Sequence, residues 1–276
     1  MALTLNGTIA TLQALGNFNR NQDRMTTTLD RISSGLRVNR SADDPSGLAI
    51  ATNLNTQVRA AQAAMRNATT GTSIIQTAEG SAEEVVDLLE RIRELAVQAS
   101  SETITSTERT DINDEYVELQ DEITRLSDST EFNGITLTNG STDELNIFVG
   151  TRNAATSSVT VALEDIDSSA LGIDSLDLST TSGATTSIDL VDSALDTISS
   201  FRSKLGASQN RLDSAVGTLS SYSENLSIAS SVITSADLAL ETANFASYEI
   251  INNAAISALI QAQNMNASIV KLLAFD

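Results

Sequence analysis

The chain has no cysteine, no histidine and no tryptophan, a single proline at Pro45, and aromatic residues at only 3% of its 276 positions. Without cysteine there is no disulfide framework and no thiol chemistry. Without histidine, the commonest general base and the commonest metal ligand are both missing. A zinc hydrolase of the His-Glu-x-x-His type is therefore excluded. No glycine-rich loop of the phosphate-cradling kind is present either, so catalysis and a bound cofactor are not expected. Scarce aromatics also remove the large-area burial that usually dominates compact cores. What remains is rich in Ser, Thr, Ala, Asn and Leu, a composition suited to long helices stacked through small residues.

Charge is absent from two stretches, Met1–Asn19 and Ile250–Val270, one at each end. These stretches carry Asn, Gln, Ser and Thr, so they are too polar for lipid, yet too apolar to stay in water alone. They read as surfaces that bury against copies of themselves. The net charge of −20 is concentrated between them. Residues 1–66 hold seven Arg and four Asp, whereas residues 67–200 hold 26 acids and five Arg. The acidic middle repels phosphates and argues against nucleic acid. No run reaches the roughly 18 apolar residues of a membrane span. The first cation is Arg20, which does not fit the cationic start of a signal peptide. The expected chain is cytosolic, or exported without a cleaved signal.

Hydrophobic spacing gives four helical seams. Phe18, Met25, Leu29, Ile32 and Leu36 follow the steps of a coiled-coil seam. Ser41–Gly47 interrupts it, with Asp44 placed to cap a new helix and Pro45 in its first turn. A second seam runs through Leu54, Val58, Ala61, Met65, Ala68, Thr72, Ile75, Glu79, Ala82, Val86 and Leu89. It predicts one helix from Pro45 to about Ser100, with Gly71 and Gly80 each costing roughly 1 kcal/mol relative to Ala. The third, Ile112, Tyr116, Leu119, Ile123 and Leu126, is expected to run antiparallel to the second. Its first turn is acidic, with Glu108 and Asp111. The fourth runs from Val191 through Leu205 to Ile233 and can return beside the second.

Between Phe132 and Leu178 the period changes. Asn133-Gly134 and Asn139-Gly140 are turn signals, and Ile147, Val149, Val159, Val161 and Leu163 alternate as short strands do. Ser179–Ser187 is Ser/Thr/Gly-rich and reads as a loop or tip. The expected fold is mainly α: a long antiparallel helical hairpin and coiled-coil bundle, with paired termini and a small β-rich tip. The expected divisions are 1–40 with 237–276 as terminal coiled-coil segments, 41–130 with 188–236 as a helical body, and 131–187 as the tip.

Adjacent carboxylates such as Asp43-Asp44 and Glu83-Glu84 do not face one another on a helix. They read as a solvated face or a cap rather than as acid–base dyads.

Leu29-Asp30-Arg31-Ile32-Ser33-Ser34-Gly35-Leu36-Arg37-Val38-Asn39, followed by Ala42-Asp43-Asp44 and Gly47–Ala51, resembles the bacterial flagellins. The resemblance continues at Ile75–Gly80, Arg91–Ala99, Glu131–Gly134, Leu205–Leu212 and Ala262–Leu273. It implies a non-enzymatic structural subunit that self-assembles into the extracellular flagellar filament for motility, with the terminal helices forming the inner core. It also implies the flagellar export machinery, an export chaperone, a filament cap and hook-associated proteins as partners. The self-assembly residues expected are Leu5, Ile9, Leu12, Leu15, Phe18, Met25, Leu29, Ile32, Leu36, Ile256, Leu259, Ile269, Leu272 and Leu273. Arg91, Leu95 and Glu115 match family positions recognised by the vertebrate innate immune receptor for flagellin. The alternatives are a hook–filament junction protein, which shares the terminal seams, and a non-polymerising helical binding or adhesin module.

Overall fold

In the computed structural model, backbone is described for residues 2–152 and 154–273, and side chains for residues 9, 11–152, 154 and 156–264. The chain is mainly helical. In order come α1 (Ala2–Ser34), α2 (Pro45–Ala99), α3 (Ser106–Ser129), β1 (Glu131–Phe132), β2 (Ile135–Thr136), β3 (Glu144–Phe148), β4 (Ser158–Ala162), α4 (Thr181–Thr234) and α5 (Leu238–Leu273). Two compact units result: a terminal unit of residues 1–56 and 225–276, and a central unit of residues 57–224.

The central unit holds the core. Every position of the second, third and fourth seams within it is buried or half-buried. Arg93 of α2 meets Asp192 of α4, while Gln57 meets Tyr222. Arg91 meets Glu115 of α3, while Ser81 meets Thr130 just beyond it. Early residues of one helix thus meet late residues of the next, so both α3 and α4 run antiparallel to α2. Phe201, Tyr116, Ile75, Leu89, Ile92 and Ile123 fill the interior.

Local chemistry sets the helix ends. Asp44 caps α2, its carboxylate accepting from the Gly47 amide at 2.9 Å. At α3 the cap is Thr105, which the acidic first turn alone did not reveal. Thr105 and Glu108 form a reciprocal capping box, and the Thr105 amide and hydroxyl both hold the Glu108 carboxyl below its ordinary range. Asp237 caps α5 through the Ala239 and Leu240 amides.

β1 and β2 are joined at Asn133-Gly134, where φ values of 51° and 78° give the left-handed pair of a tight hairpin turn. β3 and β4 pair antiparallel from Glu144↔Ala162 to Phe148↔Ser158, with Ile147, Val159 and Val161 buried. Ile147 packs on Gly71 of α2, where any Cβ would collide with its side chain. That approach explains Gly71 within a long helix; Gly80 has open space around it.

Ser179–Ser187 is not a loop: from Thr181 it forms the opening turns of α4. Thr180 caps the helix through the Gly183 amide, and Thr185, Thr186 and Ser187 donate back to carbonyls four residues earlier. Burial of Ala184 and Ser187 supplies the packing that outweighs weak helix propensity. The irregular stretch before it also contributes core, through Ile166, Leu171, Ile173 and Leu178. The Tyr116 hydroxyl donates to the Ile173 carbonyl, and the Leu178 amide donates to Asn113 at 3.0 Å.

Candidate self-assembly surface

In the terminal unit, α1 and α5 run antiparallel. Asn21 donates to the Tyr248 carbonyl at 2.8 Å, Asn252 donates to Gln22 at 3.3 Å, and Arg31 pairs with Glu241 at 3.2 Å. Beyond Arg31, Gly35 at φ 69° ends α1, and the Arg37 amide donates to Thr234 at 2.7 Å.

The face that α1 turns to α5 consists of Thr11, Ala14, Phe18, Asn21, Met25, Thr28 and Ile32, all buried or half-buried. These positions alternate steps of three and four, the spacing of a coiled-coil seam. The opposite face of the seam is Glu241, Phe245, Tyr248, Asn252, Ala255, Leu259 and Ala262. Sequence reading placed Leu29 in the seam; the structure places Thr28 there instead, 4% exposed, with Leu29 at 52%. The reason is polar: Asn21 and Thr28 occupy the inner positions, and the Asn21 and Arg31 side chains fix the register of α1 on α5. A buried polar side chain in a coiled-coil seam characteristically specifies register.

The most buried seam positions, Asn21, Thr28 and Glu241, are polar, and many of the large aliphatic residues lie outside the seam. Ile9, Leu12, Leu15 and Leu29 of α1 are 43–67% exposed, and Ile256, Ile260 and Ile250 of α5 are 41%, 53% and 69% exposed. Phe18, Met25, Ile32 and Leu259 are half-buried within the pair, and Leu36, beyond the end of α1, is half-buried where it bridges to Ser235. The side chains of Leu5, Ile269, Leu272 and Leu273 lie outside those described. From residue 9 to 19 on α1 and from residue 250 to 264 on α5 there is no charge to solvate these faces. Contiguous exposed apolar side chains make these faces a candidate association surface. Among the described residues, no helix is long and apolar enough to cross a membrane.

Arg91, Leu95 and Glu115 fall in the central unit but not on one surface. Arg91 donates to Glu115 at 2.9 and 2.6 Å and to Glu94 at 3.0 Å. These partners, Glu115 foremost, raise the Arg91 pKa further. Leu95 is 2% exposed and belongs to the hydrophobic core.

Residues 5–143 match the family model described as the bacterial flagellin N-terminal helical region, and residues 188–273 match the C-terminal helical region. A flagellin of Halalkalibacterium halodurans is 35% identical, covering 98% of this chain and all of that protein. A flagellin of Bacillus subtilis is likewise 35% identical, with 98% and 100% covered. The crystal structure of Bacillus cereus flagellin is similar at a TM-score of 0.50 and 28% identity, over 56% of this chain and 88% of that one. Two family models in sequence order, and relatives matched along their whole length, fit a helical chain whose ends present uncharged aliphatic faces: it belongs to the bacterial flagellin family and is a structural subunit of the flagellar filament.

Proposed function

We propose that the outward faces of α1 and α5 are the contacts through which subunits polymerise. The single observation that carries this reading is the outward placement of large aliphatic residues: Ile9, Leu12, Leu15, Leu29, Ile256 and Ile260 are exposed, while the most buried positions of the seam are the polar Asn21, Thr28 and Glu241. At roughly 25 cal/mol per Å² of apolar surface removed from water, each fully covered Leu or Ile stabilises the assembly by about 1.5–3 kcal/mol. In the filament interior an unpaired charge would be costly, whereas Asn, Gln, Ser and Ala are tolerated. Leu5, Ile269, Leu272 and Leu273 extend the same set along the sequence.

Isolated amphipathic helices are marginal in water. Docking against neighbouring subunits therefore both orders the terminal helices and covers their faces, which keeps polymerisation low in dilute monomer. The chain would be exported through the flagellar export machinery with a chaperone, and assembled outside the cell beneath a filament cap and beyond the hook-associated proteins. Family membership supports this part of the reading. Arg91 and Glu115 are exposed and are proposed as contacts for the innate immune receptor. Burial of Leu95 leaves it to position α2 rather than to touch the receptor. A receptor-reporter assay with monomer tests this part, and no signal overturns it.

Deletion of Met1–Asn19 tests the main reading. Seeded growth should stop, while circular dichroism shows the central unit still folded. Filaments of normal length from the truncated chain would refute it.

A further inference from the structure

Asn133-Gly134 and Asn139-Gly140 are the same dipeptide, yet the fold holds them differently. Asn133 and Gly134 are both exposed, and the Asn133 side chain has no hydrogen-bond partner among the described residues. Asn133 is also the one described residue other than glycine with a positive φ, 51°, a backbone uncommon outside glycine. The hairpin around it is short, with Phe132 paired to Ile135 and Glu131 to Thr136. Nothing lies within 4 Å of where a Gly134 Cβ would stand. So small a two-stranded hairpin is marginal by itself and opens locally at little cost. Asn139, by contrast, is half-buried and its amide is tied at both ends. Its Oδ1 accepts from the Ser141 hydroxyl at 2.7 Å and the Ser141 amide at 3.2 Å, and its Nδ2 donates to Asp128 at 3.4 Å. The Ser141 hydroxyl is itself joined to Thr136. Asp165 packs against Gly140, its Oδ2 2.7 Å from where a Cβ would stand.

We propose that Asn133 is a site of spontaneous deamidation in the folded chain, and that Asn139 is protected from it. The Gly134 nitrogen attacks the side-chain carbonyl carbon of Asn133, Cγ. An N–C bond forms, the Gly134 N–H proton passes through water to the leaving amide, and ammonia departs. One water then opens the five-membered imide at either of its carbonyls, giving aspartate or isoaspartate. Water is the only co-reactant. The attack requires the Asn side chain to swing over the next peptide, and a following glycine leaves that approach unobstructed. Asn133 is free to make this movement, whereas three hydrogen bonds and the packed Asp165 oppose it at Asn139. Either product adds a carboxylate beside Glu131. Isoaspartate also lengthens the backbone by one carbon inside a two-residue turn, which disturbs the Phe132↔Ile135 register. The site lies in the central unit, so the inference is independent of how subunits join.

The test incubates the full-length chain in 18O-labelled water at neutral pH and follows both dipeptides by peptide mass spectrometry. Deamidation should be at least tenfold faster at Asn133 than at Asn139, with one heavy oxygen entering per event. In urea, where both dipeptides lose their surroundings, the two rates should agree within about threefold. Equal rates in the folded chain, or faster loss at Asn139, overturn the proposal. A tenfold difference that persists in urea also overturns it, because neighbouring residues rather than the fold would then set the rates. Ser141→Ala should raise the Asn139 rate at least threefold and leave the Asn133 rate unchanged. An unchanged Asn139 rate in that variant overturns the protection assigned to its hydrogen bonds.

Discussion

Residues 57–224 and the terminal unit use the same helical grammar for opposite ends. In the central unit, the seams put Ile75, Leu89, Ile198 and Phe201 inward, and acids cover the outside. In the terminal unit, the described side chains include only two buried apolar residues, Val38 and Ala51, against 13 of the 18 large hydrophobics that are exposed. The most buried polar groups there include Asn21, Thr28, Ser230 and Glu241. One unit buries its large apolar residues within the chain, and the other leaves most of its own exposed. A helical hydrophobic period therefore marks an apolar face without saying whether the same chain covers it.

Truncating the same kind of residue in the two units gives the sharpest break between them. Phe201→Ala removes a ring with no exposed surface in the central core and should cost about 3–5 kcal/mol, read from urea unfolding. Leu12→Ala, at a site 67% exposed, should change monomer stability by no more than about 0.5 kcal/mol, yet slow filament elongation. A large loss of monomer stability with Leu12→Ala would mean the terminal unit has a hidden core of its own.

Tyr116 sharpens the comparison next. Its hydroxyl donates to the Ile173 carbonyl inside the central core, and burial pushes its pKa up to about 12. A raised value in the folded state means the neutral phenol is favoured there. The associated stability is present below pH about 10 and is lost as pH rises towards 12. A shift of this size is on the order of 2–3 kcal/mol. Unfolding free energy measured between pH 9 and pH 12 should fall accordingly, and Tyr116→Phe should flatten that slope at a cost of about 1–2 kcal/mol near neutrality.

Gly183→Ala comes third. The new Cβ would strike the Asp177 carbonyl oxygen, a backbone atom, as well as the Thr180 hydroxyl. A cost of about 1–3 kcal/mol is expected from overpacking, read as a lowered thermal midpoint. An equal substitution at Gly217, with nothing within 4 Å, should instead stabilise α4 by up to about 1 kcal/mol.

These contrasts show which features were readable in the residues. The second, third and fourth seams were legible because apolar residues recur at steps of three and four where one chain supplies both sides. The first seam was misread at Leu29 because Asn21 and Thr28 take inner positions that an apolar period does not mark, and Leu29 beside Thr28 faces outwards. Asp44 announced itself as a cap, and Thr105-x-x-Glu108 carried an equally plain signature that the acidic turn distracted from. The opening of α4 at Thr181 was hidden because Ser and Thr favour loops locally, and only the burial of Ala184 and Ser187 reverses that preference. Ile166, Leu171 and Ile173 were not legible as core, since irregular backbone has no period to read.

The smallest effect concerns ion pairs, and it too divides the units. Arg91 and Glu115 pair in the central unit with side chains 49% and 45% exposed. Water screens such a pair, so a double-mutant cycle should give about 0.2–1 kcal/mol of coupling. Arg31 and Glu241 pair in the terminal unit with side chains 30% and 10% exposed, and the Arg31 Nε is buried without a hydrogen-bond partner. Removing Arg31 leaves the Glu241 carboxylate shielded from water with its charge uncompensated, so Arg31→Ala should cost more than Arg91→Ala. Raising salt from 0.05 to 0.5 M should erase much of the Arg91 coupling and leave most of the Arg31 coupling in place, because screening acts on exposed charges first. Equal salt sensitivity for the two cycles would show that water reaches Glu241 in the monomer, and that the α1–α5 seam closes only on assembly.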